Sequence, residues 1–476
     1  LAFHLTIKKY KKEKMKIKIL FGIAFWTLLL LAGCNRDDIS FDSPTQLLRF
    51  STDTVFCDTV YNQMRSETYA VKVYNNEDKD ILIPEIKLEG GINSPYKINV
   101  DGKVGTRFEK IALRRKDSLY VFVEIAPVAN APEAIAEDKV VFNTPAGEQK
   151  VTLFSVVQDA EYFIKTDTNP NIISENTTWT KDKVKVIFGD LTIAEGKSLT
   201  MEKGTKVYFR KNSGMNFAKN SGLTVNGTLG DEVIFRGDRS DTKYDTLPAN
   251  WNGIKMQEGS LLKMNYARVF GGNVGLQLKK NTATINNSIF HTFQNAGIYG
   301  IHSNLTMNNV VMNNCGEADL AIAGSGTYNV NYSTLANYWN LNSSMSAVGI
   351  FASNTWENEN GELESGLVTL NVKNSIIYGD TLDMLSLKNN PKGTTISAHF
   401  DYSLLKISAD AGFTPLGSNI IKNEDPKFQN YFTQKMNLRV KTDSPARGKG
   451  FGTNNITATD IVGNPRTGSL TIGAYQ

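Results

Sequence analysis

Cysteine and histidine are both scarce: the 476 residues hold three of the first and four of the second. The cysteines, Cys34, Cys57 and Cys315, form no C-x-x-C pair and share no cluster with a histidine, which excludes a zinc site. Cys57 and Cys315 fall in segments of different pattern and read as buried apolar thiols, not a disulfide. Helical periodicity is nearly absent, so a helical core is excluded as well. A clustered basic footprint is also missing. Of 52 basic and 48 acidic residues, seven lysines and one glutamate precede residue 34, leaving 45 and 47 beyond it. The apparent basicity belongs to the first segment, and no nucleic-acid partner is expected. The apolar run Ile19–Leu31 has thirteen residues, too few for the roughly 20 of a membrane-spanning helix.

That short run fits an export signal. Lys16 and Lys18 precede it and small residues close it, so residues 1–33 read as a signal peptide, with residues 1–14, ahead of Met15, as an extension that need not be translated. Its end, Leu31-Ala32-Gly33-Cys34, resembles the lipobox of bacterial lipoproteins. The resemblance implies that Cys34 is lipidated, opens the mature chain and anchors it in a membrane; more than one acyl chain makes such anchoring stable. Asn35-Arg36-Asp37-Asp38 resembles the signal that sends some Gram-negative lipoproteins to the outer face. The expectation is an outer-membrane lipoprotein exposed on the cell surface, with 34–44 as its tether.

The 443 residues from Cys34 onward are too many for one ordinary core. Residues 45–158 carry seven short runs at sandwich spacing, among them "YAVKVYN", "DILIPEIKLE", "YKINV" and "SLYVFVEI". Turns such as Val100-Asp101-Gly102 separate them, which fits an immunoglobulin-like β-sandwich serving as a spacer. The alternation Tyr120-Val121-Phe122-Val123-Glu124-Ile125 predicts a well-buried strand.

After a polar linker at 159–171 the pattern changes. Leu191/Ile193, Leu199/Met201, Val207/Phe209, Met215/Phe217 and Leu223/Val225 form five apolar-x-apolar pairs in steps of eight residues. Two inward side chains, a turn, then two more is what a coiling parallel strand needs, and three faces per coil give a repeat in the low twenties. A longer period appears independently in "MNYARVF", "INNSIFH", "MNNVVMN", "VNYSTLA", "VKNSIIY" and "FDYSLLK". Aligned on Ala267, Ser288, Val310, Ser333, Ser375 and Ser403, these are 21, 22, 23, 42 and 28 residues apart. The step of 42 is read as one extra coil plus an insertion. Asn287, Asn309 and Asn374 recur just before the small residue, as stacked amides sharing hydrogen bonds would. Residues 172–476 therefore read as a right-handed parallel β-helix, handedness following the general rule for parallel crossovers.

Asp460, Gly463 and Arg466, followed by Ile472-Gly473-Ala474-Tyr475, match a D-x-x-G-x-x-R … I-G-A-Y ending, and Trp251-Asn252-Gly253-Ile254 a W-x-G-I motif. These resemble secreted proteins of the pectate-lyase-like β-helix superfamily, with a choice-of-anchor-Q-like carboxy-terminal segment. The resemblance implies fold more than function. Physically, the exposed end of a coil stack needs covering, so residues from about 420 to 476 are expected to cap it, with Asp460–Arg466 as a structural ion pair and Tyr475 as part of the cap.

Such proteins often act on polysaccharides, yet the paired-aspartate and G-H-G motifs of polygalacturonase-like hydrolases do not occur in this region. Asp238, Asp241 and Asp245 form an acidic loop, the one place where calcium is conceivable; no other cofactor is expected. Arg236-Gly237-Asp238 and the trio Glu317, Asp319 and His291 are weaker signals. Tyr338, Trp339 and Trp356 flank the long insertion and offer ring faces to a sugar. The expected function is non-catalytic binding of a polysaccharide or another extended cell-surface ligand. The alternative is a lyase or glycoside hydrolase with a divergent site. Oligomeric state is left open.

Overall fold

The computed structural model describes residues 40–62, 64–127, 133–239, 243–339, 341, 347–391, 395–408 and 417–476. Cys34 and Asp241 lie outside them. The chain is all-β and divides into two compact units, one of residues up to Phe56, Glu67–Glu124 and Glu137–Phe154, the other of Cys57–Ser66, Ile125–Ala136 and Ser155–Gln476.

Two five-stranded sheets carry the amino-terminal strands. One runs, in spatial order, Arg49–Phe50, Tyr69–Tyr74, Ser118–Ile125, Tyr96–Val100, Lys103–Gly105. The other runs Thr54–Tyr61, Gly147–Gln158, Glu133–Thr144, Ile81–Leu88, Arg107–Leu113. Neighbours such as Tyr69–Tyr74 and Ser118–Ile125 are antiparallel, with Val71 opposite Val121. Three strands exceed the expected seven: Thr54–Tyr61, Lys103–Gly105 and Arg107–Leu113. Their polar residues hide the alternation, and pairing to neighbours decides them. The strand Ser118–Ile125 is buried on one side only: Val121, Val123 and Ile125 face inward while Tyr120 and Phe122 stand in solvent.

From Ala160 the sheets are parallel. Face 1 has eleven strands, from Ala160–Ile164 to Ile421–Lys422. Face 2 has nine, from Ile172–Ile173 to Leu385–Lys388, and face 3 nine, from Thr177–Trp179 to Ser397–Asp401. Each coil lays one strand on each face in turn through most of the stack, the arrangement of a parallel β-helix. The expected linker at 159–171 already contains the first strand of face 1, Ala160 pairing with Val184 and Ile164 with Phe188. The eight-residue step proves to be the step between faces, and the coil closes at 24: Leu191 pairs with Met215 and Leu199 with Leu223. Inward residues stack in columns, as in Met201, Val225, Met264, Ile285, Met307, Val330, Val372 and Phe400. Each buried side chain of this size contributes about 1.5–3 kcal/mol.

The step of 42 holds no extra coil. Thr334 pairs directly with Ile376, and the added length is a connection after Tyr338 and a hairpin of Thr355–Glu357 with Leu363–Ser365. A period alone does not separate a coil from an insertion; the ladder does.

The recurring asparagines sit at the corner between faces 3 and 1 for two reasons. Asn309 Nδ2 donates to Asn287 Oδ1 at 2.8 Å and Asn287 Nδ2 to Asn265 Oδ1 at 2.9 Å, forming a ladder. Each also has left-handed backbone: Tyr266, Asn287, Asn309, Tyr332, Asn374 and Tyr402 lie at φ between 44° and 53°. Asparagine tolerates that region better than most residues, and the turn requires it. The serines that follow form a second ladder. Ser375 Oγ accepts from Ser333 N at 3.0 Å and donates to Lys373 O at 2.8 Å, one coil against its own strand. Trp251 stacks on Phe209 at 4.2 Å and donates to Phe270 O, while Gly253 has φ 117° and no room for a Cβ, which would meet Val274 O at 1.9 Å.

The tail lies along the side of face 1, correcting the expectation of an end cap. Phe428, Leu438, Ala446, Ile461, Ile472 and Ala474 cluster with Val311, Ile376 and Leu404, which alternate with the inward residues Met312, Ile377 and Leu405. These outward apolar side chains would otherwise face water, and covering them is what the tail does. Asp460 and Arg466 are both buried but do not pair. Asp460 accepts from the backbone of Val462, Asn464 and Gln476, whereas Arg466 donates to Asn309 Oδ1, Thr459 O and Gly473 O. Tyr475 lies under the Arg439 guanidinium, 5.0 Å from ring centre.

Candidate ligand-binding site

The outward side of face 2 carries a continuous row in register: Thr192, Asn216, Lys255, Gln277, Tyr299, Ala321, Phe351 and Ser386. Successive strands of a sheet are about 4.8 Å apart, so Tyr299 and Phe351, two rungs apart, are separated by roughly 10 Å. Ala321 between them is too small to fill the space. Beside it opens a recess of about 360 Å³ lined by Gly316, Glu317, Ala318, Ala321, Val348 and Phe351, with Ser386 at its edge. Ala318 and Ala321, which line it, cluster with Ala296, and Tyr299, Val348 and Phe351 pack against these alanines.

The polar groups around the recess are few. Glu317 is exposed and accepts from Asn295 Nδ2 at 2.9 Å. Burial, then the nearby Glu317 charge, raises the Tyr299 phenol above its ordinary value, so it stays protonated and can donate. Trp339 is buried, with its ring edge over Gly316: a Cβ built there would lie 3.2 Å from Trp339 Cζ2. Among the described residues no acceptor meets its buried Nε1. An unpaired buried N–H costs about 1–3 kcal/mol.

The residues singled out in the sequence go to different places. Tyr338 is buried against the tail, stacked on Tyr431 at 4.1 Å and edge-on to Phe428 at 6.3 Å, so it presents no ring face to solvent. Trp356, half-buried on the hairpin, meets His302 edge-on at 5.8 Å, with Lys279 Nζ 5.3 Å from its ring centre. The hairpin is held down further by Glu359 on Lys279 at 2.8 Å and by Glu364 beside His302 Nε2 at 3.2 Å. His302 Nδ1 faces Ser325 Oγ at 2.9 Å, and burial lowers the affinity of the imidazole for a proton. Tyr338, Trp339 and Trp356 thus have separate neighbours and form no shared shelf.

The two described carboxylates of the acidic loop are engaged by arginines: Asp238 pairs with Arg210 at 2.9 Å and Asp245 with Arg236 at 2.8 Å. The same pairing ties down the Arg-Gly-Asp tripeptide. Among the described residues no group of three or more histidine, cysteine, aspartate or glutamate side chains is arranged to hold a metal ion. Glu317, Asp319 and His291 are also not brought together. Glu317 faces solvent, and Asp319 is sealed in the coil beside Cys315, its carboxyl raised well above the usual range by burial. His291 is buried on face 1, stacked on Phe270 at 4.8 Å. Cys57 and Cys315 are both buried, and neither is in a disulfide.

Tyr299 and Phe351 were missed because each sits in a strand that reads as apolar throughout. Aligning "AGIYGI", "ADLAIA" and "VGIFAS" by coil places Tyr299, Ala321 and Phe351 at one position. That alignment was the available signal.

No family model matches the chain, and no curated protein matches it. Among solved structures it is similar, over 23% of its own length and 23% of the other chain, to a family 123 glycoside hydrolase from Clostridium perfringens, described in terms of glycolipid glycan hydrolysis. Identity is 10% and the TM-score 0.17, a likeness too partial to carry an argument about function.

Proposed function

We propose that this chain is a lipid-anchored protein of the bacterial cell surface that binds an extended glycan along the outer side of face 2, without chemistry. The observation that carries the reading is the aromatic–small–aromatic step Tyr299–Ala321–Phe351, set in a row of polar side chains that follows the stack of coils. Aromatic faces on either side of a small residue receive a sugar ring, and the amides and Lys255 along the row receive its hydroxyls. Glu317 is the one carboxylate lining the recess among the described residues. Hydrolysis of a glycoside ordinarily needs two, which favours binding over the hydrolase alternative.

Anchoring rests on the lipobox-like sequence at Cys34 and the acidic tether behind it. We assign the coil stack to the right-handed, pectate-lyase-like class and the two antiparallel sheets to an immunoglobulin-like sandwich on the sequence patterns given above. The test of function is a glycan array probed with the full chain, then with Tyr299→Ala and Phe351→Ala. At least tenfold weaker binding in both variants is expected. Unchanged binding, or shortened or unsaturated products from the glycan, overturns the reading.

A further inference from the structure

An antiparallel sheet with one face on a core ordinarily turns polar side chains to water on the other. The sheet that begins at Arg49–Phe50 departs from this. Val71, Val73, Val121 and Val123 are fully buried on its inner side. Cross-strand register places Arg49 opposite Tyr74, and Lys72 opposite Tyr120, all on the outer side with Phe122. Tyr120 and Phe122 are 48% and 42% exposed, and their rings lie nearly parallel, 17° apart with centroids at 5.8 Å. Arg49 sits 4.4 Å above the Tyr74 ring, and Lys72 Nζ lies 5.4 Å from Tyr74 and 5.3 Å from Tyr120. Neither cation has a carboxylate within 4 Å among the described residues.

We infer that this face is a second binding site, for a polysaccharide bearing carboxylate or sulfate groups. The two exposed, nearly parallel rings stand together on this outer side and offer aromatic surface for a sugar to stack on. The two cations, held over aromatic faces and unpaired, supply positive charge along its flank. A neutral glucan would use the rings and leave the charges idle. An anionic chain of sugar rings uses both, because burying a charge beside a ring face favours a partner of opposite sign. Cations and stacking rings would serve a single-stranded nucleic acid as well. The balance of 45 basic to 47 acidic residues beyond residue 33 attracts neither polyanion at long range, so an oligonucleotide is an arm of the test. The sandwich thus has a role of its own beyond spacing, independent of the recess on face 2.

Native gel retardation of the full chain in polygalacturonate tests this, with a neutral glucan, dextran sulfate and a thymidine oligonucleotide as parallel arms. Retardation is expected with polygalacturonate, weaker by at least tenfold in Tyr120→Ala and in Lys72→Gln, and reduced by salt. Both variants change exposed or half-exposed side chains, and an unchanged melting temperature excludes misfolding as the cause. Weakening by Tyr299→Ala as large as that by Tyr120→Ala would place the polygalacturonate on face 2 instead and overturn the inference. Absence of retardation, indifference to both variants, or tighter binding of the oligonucleotide overturns the inference. Binding of dextran sulfate that Tyr120→Ala leaves intact overturns it too, since that describes mere ion exchange.

Discussion

Arg466 Nη1 donates to Asn309 Oδ1 at 2.8 Å across 157 residues of sequence, and with Asn309 Nδ2 on Thr459 O and the Asn374–Phe451 bonds it docks the tail onto the asparagine ladder. The Arg466 side chain holds two tail carbonyls and lies 4.1 Å from the Tyr332 ring centre. Burial lowers its pKa to about 10, which leaves it charged at neutral pH. Arg466→Ala would leave the Asn309 amide oxygen and two tail carbonyls short of a donor, a buried group so stranded costing about 1–3 kcal/mol. A lowered melting temperature and early proteolysis of the tail are expected. An unaltered melting temperature would show that the other contacts suffice to hold it.

His291 gives the stability an acid limb. Burial, with Arg268 adding repulsion, lowers its pKa to about 3, against about 6.5 in an unfolded chain. The folded state therefore binds this proton less readily than the unfolded one. Stability is intact above pH 6.5 and falls as pH drops toward 3, at about 1.4 kcal/mol per unit of difference. His291→Phe keeps a ring against Phe270 and removes the titration. Unfolding midpoints compared between pH 7 and pH 4 should fall less in the variant; equal falls would dismiss the assignment.

Asp319 acts in the opposite direction. Its carboxyl, raised well above the usual range by burial, stays protonated in the coil while an unfolded chain ionises near pH 4. The stability this proton confers is complete below that pH and is lost as pH rises toward the folded value. Asp319→Asn is neutral throughout, so its advantage over the parent should grow from pH 4 to pH 8. A constant offset between the two pH values would contradict this.

The hairpin of Thr355–Glu357 and Leu363–Ser365 is too small to hold its shape alone. Trp356→Ala removes the contacts with His302 and Lys279 and should quicken hydrogen exchange across 355–365 about tenfold, leaving the global melting temperature unchanged. Exchange as slow as in the parent would mean that the ion pairs suffice.

The sequence by itself determined the coil stack. Its inward positions must be apolar at a fixed step, and its left-handed corners must tolerate positive φ, so Leu191 to Val225 and the asparagines before the serines display the architecture directly. Tyr338 and Trp339 were legible as aromatics flanking an insertion, but which side of a coil they would occupy was not. That depended on the tail, whose Tyr431 covers Tyr338 from more than ninety residues away. The side of face 1 that needs covering, the direct pairing of Thr334 with Ile376, and the alignment of Tyr299 with Phe351 are all relations between coils. One-dimensional spacing fixes where a strand turns inward; only the stacked register decides which outward side chains become neighbours, and the recess exists only between them.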